Sequence, residues 1–213
     1  MQGHPASLVR ISILSVEDHP VFQDGLSVTI GSQRDMRLVA HAATADQAFT
    51  AFRRYQPDIT LMDLRLPDSD GIDALVAIRN EFPRARVIVL STSDTDGDIR
   101  RALKCGAAGY LLKSASRETL LAAIRVVHAG GRYVPDDVAS RLAAHLGEPD
   151  LTARELEVLG LIRDGLRNKQ IGGRLSISET TVNFHIKNLV QKLGANDRTH
   201  AVAIATRRGL LPA

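Results

Sequence analysis

The chain predicts an α/β protein: a doubly wound, five-stranded parallel sheet followed by a second, smaller all-α domain. Three observations carry that prediction. Apolar runs of strand length alternate five times with segments of helical spacing over about 125 residues, which calls for a parallel sheet with helices on both faces. From Leu151 onward the periodicity is helical to the end. Finally, Ile59-Thr60-Leu61-Met62-Asp63 is a short apolar run between turn signals that ends in a carboxylate. Such a run reads as a buried parallel strand, with Asp63 at the carboxyl edge where open α/β sheets keep their chemistry.

Taken in order, Val9–Val16 reads as the first strand, ended by Glu17 and Asp18. Pro20 opens a helix that Gly31 closes, with Val21, Phe22, Leu26, Val28 and Ile30 as core candidates. Leu38–Ala42 is a weaker second strand, and a helix follows from about Ala45 to Tyr55. The third strand ends at Asp63. After the turn Leu66–Gly71, helical spacing runs from Ile72 to Phe82 and Pro83 stops it. Arg86–Ser91 is the fourth strand, Asp96–Cys105 a helix, Ala108–Leu112 the fifth strand, and Arg117–Ala129 a helix closed by Gly130-Gly131. Pro135–Leu146 fits one amphipathic helix, and Gly147–Asp150 a hinge. The organisation expected is therefore a sheet domain over residues 8–130, a linker over 131–150 and a helical domain over 151–213.

Composition narrows the function. The chain has 213 residues, 44% apolar and 24% charged, which is ordinary for a globular protein with a real core. It holds no apolar run long enough to span a bilayer, and Met1–Ser7 lacks the charged-then-apolar pattern of a signal peptide. A cytoplasmic protein is expected. The single cysteine, Cys105, excludes an internal disulfide and a thiolate zinc site, and reads as a buried or half-buried helix residue. Residues 1–150 carry 17 Lys and Arg against 19 Asp and Glu, whereas residues 151–213 carry 10 against 5. A near-neutral larger part joined to a small basic one suggests a regulatory domain carrying a nucleic-acid-binding domain.

The strand ends carry the chemistry. The first ends in Glu17-Asp18, the third in Asp63, the fourth in Ser91-Thr92, and the fifth runs to Lys113. Parallel strands bring all these ends to one rim. Clustered carboxylates repel one another unless a cation sits among them, and Mg²⁺ is the natural guest for an oxygen-only set shared with phosphate and water. Lys113 suits one phosphoryl oxygen and Ser91 another. A carboxylate can act as nucleophile and hold a phosphoryl group covalently, so the set reads as an aspartyl-phosphate site with Asp63 as acceptor.

Val16-Glu17-Asp18-His19-Pro20, Leu61–Gly71, Val89-Leu90-Ser91 and Gly109–Lys113 resemble, in order and spacing, the receiver domain of two-component response regulators. The resemblance covers about residues 8–130 and implies a flavodoxin-like fold. It implies that Glu17, Asp18, Asp63 and the backbone carbonyl of Arg65 hold Mg²⁺. It also implies that Asp63 accepts phosphate from a sensor histidine kinase, with Ser91 and Lys113 on the phosphoryl group. Tyr110 matches the aromatic whose rotamer couples to the hydroxyl during switching, and fits equally a half-buried strand aromatic. Phosphatases of the haloacid dehalogenase type also use a strand-end Asp, but need a second Asp two residues on, where this chain has Arg65. No enzyme acting on an external substrate is expected; the receiver assists only its own phosphotransfer and dephosphorylation. One departure is Ser114, where many receivers have proline after the Lys, which predicts a freer loop.

In the second domain Thr152 and Glu155 form a capping-box pattern. Gly165 ends that helix, Asn168 opens a short one, Ser178-Glu179-Thr180-Thr181 caps a third, and Arg198–Arg208 forms a fourth. Four short helices with a tight break between the second and third suggest a helix-turn-helix. Leu151–Leu159, Gly165–Ile171 and Ser178–Ile186 are similar to the LuxR-type DNA-binding domain, and with the receiver this implies a response regulator of the NarL/FixJ type. The resemblance puts Ser178–Lys192 in the major groove of a double-stranded operator and implies a homodimer through the last helix. Asn183 and Lys187 are polar candidates for base contact on that segment and Phe184 lies between them; Asn can read adenine bidentately. Lys169, Thr180, Thr181 and Arg198 are candidate phosphate contacts. His185 fits either a packed helix residue or a DNA contact. The family often has Lys where this chain has Asn183, which predicts an altered base preference or weaker, less salt-dependent binding. Gly172-Gly173 inside the second helix costs about 1–2 kcal/mol relative to alanine and predicts a short or loose helix.

The expected function is a phosphorylation-switched transcription regulator of a two-component system. The alternative is a DNA-binding regulator whose receiver responds to a partner or ligand instead.

Overall fold

The computed structural model describes residues 10–92, 95–136, 138–140 and 151–211. These fall into two compact units, one built on a sheet and one on the carboxyl-terminal helices.

The sheet unit runs β1 (Ile11–Val16), α1 (Pro20–Gly31), β2 (Met36–Ala42), α2 (Ala45–Tyr55), β3 (Ile59–Asp63), α3 (Gly71–Glu81), β4 (Val87–Ser91), α4 (Asp96–Lys104), β5 (Gly109–Leu112) and α5 (Arg117–His128). All pairings are parallel, in the order β2-β1-β3-β4-β5. The chain leaves β1 toward one side and returns for β3 on the other, so the order reverses between them. That reversal opens a crevice at the carboxyl ends of β1 and β3. β1, β3 and β4 are buried along their whole length, as a sheet covered on both faces requires. Ile11, Ile13, Ile59, Leu61, Ile88, Leu90 and Leu111 face a core completed by Leu26 and Ile30 of α1 and by Leu121, Ile124 and Val127 of α5. The residues of opposite parity, among them Leu14, Val16, Met62 and Val89, are buried as well.

The predicted elements that fall within the described residues are present with boundaries moved by one or two residues, and two expectations need correction. Val21 and Val28 are not core: they are 85% and 71% exposed. At about 100° per residue, Phe22, Leu26 and Ile30 make one stripe of α1, and Val21 and Val28 fall on a second that turns away from the sheet. Cys105 lies just beyond the end of α4, half-buried. Most of the predicted helix Pro135–Leu146, and the hinge after it, lie outside the described residues.

The helical unit contains α6 (Ala153–Arg163), α7 (Asn168–Leu175), α8 (Glu179–Lys192) and α9 (Arg198–Arg207). Its core joins Val158, Leu159 and Ile162 to Ile171, Val182, Leu189, Ala201 and Ile204. The capping box closes as predicted: Glu155 N donates to Thr152 Oγ1 at 3.2 Å, and Thr152 N to Glu155 Oε2 at 2.7 Å. α7 is short but regular. A Cβ on Gly172 would lie 2.8 Å from the Ile177 carbonyl, whereas one on Gly173 would meet nothing. Gly172 therefore lets the turn fold back onto its helix. Its carbonyl accepts from Ile177 N at 3.0 Å, and Ser176 takes the left-handed conformation that makes the turn. Among the described residues no helix is long and apolar enough to cross a membrane.

Candidate functional site

Strand register assembles the first site. Val16 pairs with Met62, so the residues that follow, Glu17 and Asp63, emerge side by side. On the other flank Ser91 pairs with Leu112, and Lys113 N donates to the Ser91 carbonyl at 2.7 Å. Glu17 and Asp63 are 1% and 2% exposed and Ser91 is equally buried. Lys113 reaches back across the crevice, with Nζ 2.8 Å from Asp63 Oδ2 and 2.6 Å from Glu17 Oε2. Burial pulls the Lys113 ammonium down, but the two carboxylates outweigh it and hold its pKa above the ordinary value. The Phe22 ring, 5.0 Å from Nζ, adds an aromatic face to the same cation.

The turn after Asp63 is held as tightly. Arg65 N donates to Asp63 Oδ1 at 3.1 Å, and Gly71 N to the Leu64 carbonyl at 2.8 Å. A Cβ on Gly71 would fall 1.9 Å from the Asp63 carbonyl oxygen, so only glycine fits there. Asp70 caps α3 through Ile72 N and also pairs with Arg101, while Asp68 accepts from Ala45 N at the start of α2.

The sequence reading missed His19. Its Nδ1 lies 2.9 Å from Glu17 Oε1 and 2.8 Å from Asp18 Oδ1, and its pKa is raised by the hydrogen bond to Glu17 and then by the charge of Asp18. Its place directly after the acid pair was the available signal. Ligand atoms of Glu17, Asp18, His19 and Asp63 all lie within 4.8 Å of one another. Glu17 Oε2 and Asp18 Oδ1 are buried, and each meets an ion-pair neighbour, Lys113 Nζ at 2.6 Å and, when it is protonated, His19 Nδ1 at 2.8 Å. An oxygen-rich set with buried lone pairs fits a hard divalent cation. Tyr110 is 1% exposed on β5, fully buried rather than half-buried.

The second set lies on the helical unit. Lys169, Thr180, Asn183, Phe184 and Lys187 are exposed on α7 and α8, and Phe184 is 61% exposed, unusual for a large aromatic side chain. Thr181 is half-buried beside the Ser178 cap, whose Oγ accepts from Thr181 N at 3.0 Å. His185 is half-buried, its ring edge-on to Phe184. Arg198 is tied into the fold, donating to Asn168 Oδ1 and to the Leu166 carbonyl.

A parallel sheet with a carboxylate crevice at its reversal point, and a basic helical unit presenting an exposed segment, together define a two-part signalling protein. Comparison with known proteins agrees. Residues 13–125 match the response regulator receiver domain, and residues 149–205 match the luxR family of bacterial regulatory proteins. The chain belongs to the response regulators of the NarL/FixJ type, with a receiver and a LuxR-type DNA-binding domain, and it is a transcriptional regulator of a two-component system. It is 33% identical to the transcriptional regulatory protein DegU of Brevibacillus brevis, over 94% of each chain. It is 35% identical to the transcriptional regulatory protein MctR of Rhizobium johnstonii, over 95% of this chain and 96% of that protein. Among solved structures, the response regulator ChrA of a heme-sensing two-component system is 33% identical, covering 96% of this chain and all of its own at a TM-score of 0.56. A LuxR-family response regulator from Aurantimonas sp. SI85-9A1 is also 33% identical, covering 64% of this chain and 97% of its own at a TM-score of 0.61.

Proposed function

We propose that Asp63 is the phosphoacceptor, charged by a sensor histidine kinase, and that this switches binding of α8 to a double-stranded operator. One observation carries the reading: Asp63 is buried beside Glu17 at the sheet's reversal point, with Lys113 bridging both carboxylates. An Asp63 carboxylate oxygen attacks the phosphorus of the donor, and the bond from phosphorus to the donor breaks. Lys113 then has a phosphoryl oxygen to pair with in place of Asp63 Oδ2. The Ser91 hydroxyl, at the end of the neighbouring strand, donates to another, and Tyr110 follows it. Glu17, Asp18, Asp63 and the Arg65 carbonyl are the groups to hold Mg²⁺, which when bound neutralises the carboxylates and the incoming phosphoryl oxygens.

The receiver is placed at 8–130, the linker at 131–150 and the DNA-binding domain at 151–213, a division supported by family matches over 13–125 and 149–205. Asn183, Phe184 and Lys187 face bases, and Lys169, Thr180 and Thr181 position the helix on phosphates. Arg198 supports that surface through Asn168. A two-half-site operator implies a homodimer in the phosphorylated or DNA-bound form, acting in the cytoplasm where the DNA lies.

The test is intact-mass spectrometry after incubation with a small acyl phosphate, with and without Mg²⁺, beside Asp63→Asn. A Mg²⁺-dependent phosphoryl adduct absent from Asp63→Asn is expected. An adduct that survives Asp63→Asn would move the acceptor elsewhere.

A further inference from the structure

Asn183 is wired to the rest of its domain. Arg198 Nη1 donates to Asn168 Oδ1 at 2.9 Å while Nη2 anchors on the Leu166 carbonyl at 2.8 Å. Asn168 Nδ2 donates to Asn183 Oδ1 at 2.6 Å. The two ends of an amide are easily exchanged in a structure, but the chemistry here fixes them. A guanidinium has five N–H donors and no acceptor, so Asn168 must turn its oxygen toward Arg198. Its amino group then faces Asn183, and only an oxygen can receive it. Arg198 thus sets the sense of both amides.

Asn183 is exposed, and its amino group has no hydrogen-bond partner among the described residues. An unconstrained Asn reads adenine by accepting from N6–H₂ and donating to N7. Here one lone pair of the oxygen is taken by Asn168, and the end left without a partner is the amino donor. Cytosine presents only an amino donor in the major groove, adenine an N7 acceptor beside its amino donor, whereas guanine N7 and O6 and thymine O4 present acceptors alone. Phe184, the next residue and largely exposed, is an apolar neighbour suited to a thymine methyl.

We infer that Asn183 offers the groove foremost a donor, favouring the keto bases guanine and thymine over cytosine, and that the Arg198–Asn168 relay imposes this polarity. The inference rests on α8 being the segment that enters the major groove. Asn168 is then a positioning residue that sets specificity without facing a base.

The experiment is selection of bound duplexes from a randomised pool by the full-length protein, its Asn183→Ala and Asn168→Asp variants, and sequencing of the survivors. Asn183→Ala identifies the operator position that loses its preference. At that position the unaltered protein enriches guanine or thymine over cytosine by at least about fivefold. In Asn168→Asp the carboxylate accepts from both Arg198 and the Asn183 amino group. Asn183 turns over, and the preference at that one position reverses toward adenine or cytosine. The added negative charge lowers affinity at all sequences alike, so the readout is the base ratio. Circular dichroism and thermal melting check that the variant is folded; if it is not, Asn168→Ala serves, with adenine tolerance rising as Asn183 is freed to rotate. Cytosine preferred by the unaltered protein at that position, or a folded Asn168 variant with an unchanged ratio, overturns the relay. If Asn183→Ala leaves every position of a sequence-specific site unchanged, the placement of α8 itself is wrong.

Discussion

Each unit buries a glutamate against a lysine, and the two arrangements differ in their charge balance. Glu155, 3% exposed, meets Lys192 Nζ at 2.7 Å and closes its capping box with Thr152. One carboxylate faces one ammonium, and the same Oε2 also accepts from Thr152 N at the helix start. In the receiver, Lys113 serves Glu17 and Asp63 together, and Asp18 stands beside them. The balanced pair holds a helix in place. The unbalanced set keeps a deficit of positive charge that a cation can fill, and the cation and the Lys113 ammonium together then suit the oxygens of a phosphoryl group. A buried lysine–carboxylate contact is therefore not informative by itself; the surplus around it is.

The largest effect that would break this contrast is on phosphorylation. Asp63→Asn should abolish the adduct completely, whereas Glu155→Gln should leave its yield unchanged, both by intact-mass spectrometry. Next, Lys192→Ala strands Glu155 in the interior and should cost about 2–3 kcal/mol by chemical denaturation. The pH dependence sharpens the same point. Burial raises the Glu155 carboxyl, but Lys192 and the Thr152 donors outweigh it and hold its pKa below the ordinary 4.5. Its contribution is present above 4.5 and lost as pH falls through the lower folded value. Lys113 runs the other way: its contribution is present below the ordinary 10.5 and lost as pH rises through its raised folded pKa. Calorimetry across pH should show the acid loss shrink in Lys192→Ala and the alkaline loss shrink in Asp63→Asn. Mg²⁺ at ten times its dissociation constant should stabilise the receiver by about 1.4 kcal/mol, with the gain lost in Asp18→Asn. The smallest effect is at the glycine pair. Gly173→Ala should stabilise by up to about 1 kcal/mol, while Gly172→Ala, whose Cβ meets the Ile177 carbonyl, should destabilise.

Much of this was legible in the sequence for identifiable reasons. Strands buried on both faces are apolar at every position, so β3 and β4 announce themselves and their end residues with them. Thr152 with Glu155 is a local pattern and closed as read. What escaped depends on distance in the chain or on choosing between faces. α1 carries two apolar stripes, and spacing alone does not say which one meets the sheet; Val21 and Val28 were misassigned for that reason. Gly172 looked like a weakness because its partner, the Ile177 carbonyl, is met only once the turn is made. Arg198 reads in the sequence as a candidate phosphate contact, and its ties to Asn168 and Leu166 are not legible there because those partners lie 30 and 32 residues away. His19 was quoted in a motif without a role, since its contacts require Glu17 and Asp18 to turn toward it.

The tie between Arg198, Asn168 and Asn183 also bears on how such regulators diverge. A cell that holds several copies of one DNA-binding scaffold must keep their target sites apart. Changing a residue that faces a base does this abruptly and risks losing the site. A substitution at Asn168 instead reverses the amide behind it while every surface residue of α8 stays the same. Paralogues with identical recognition helices can then occupy different promoters, and a comparison of those helices alone would score them as redundant.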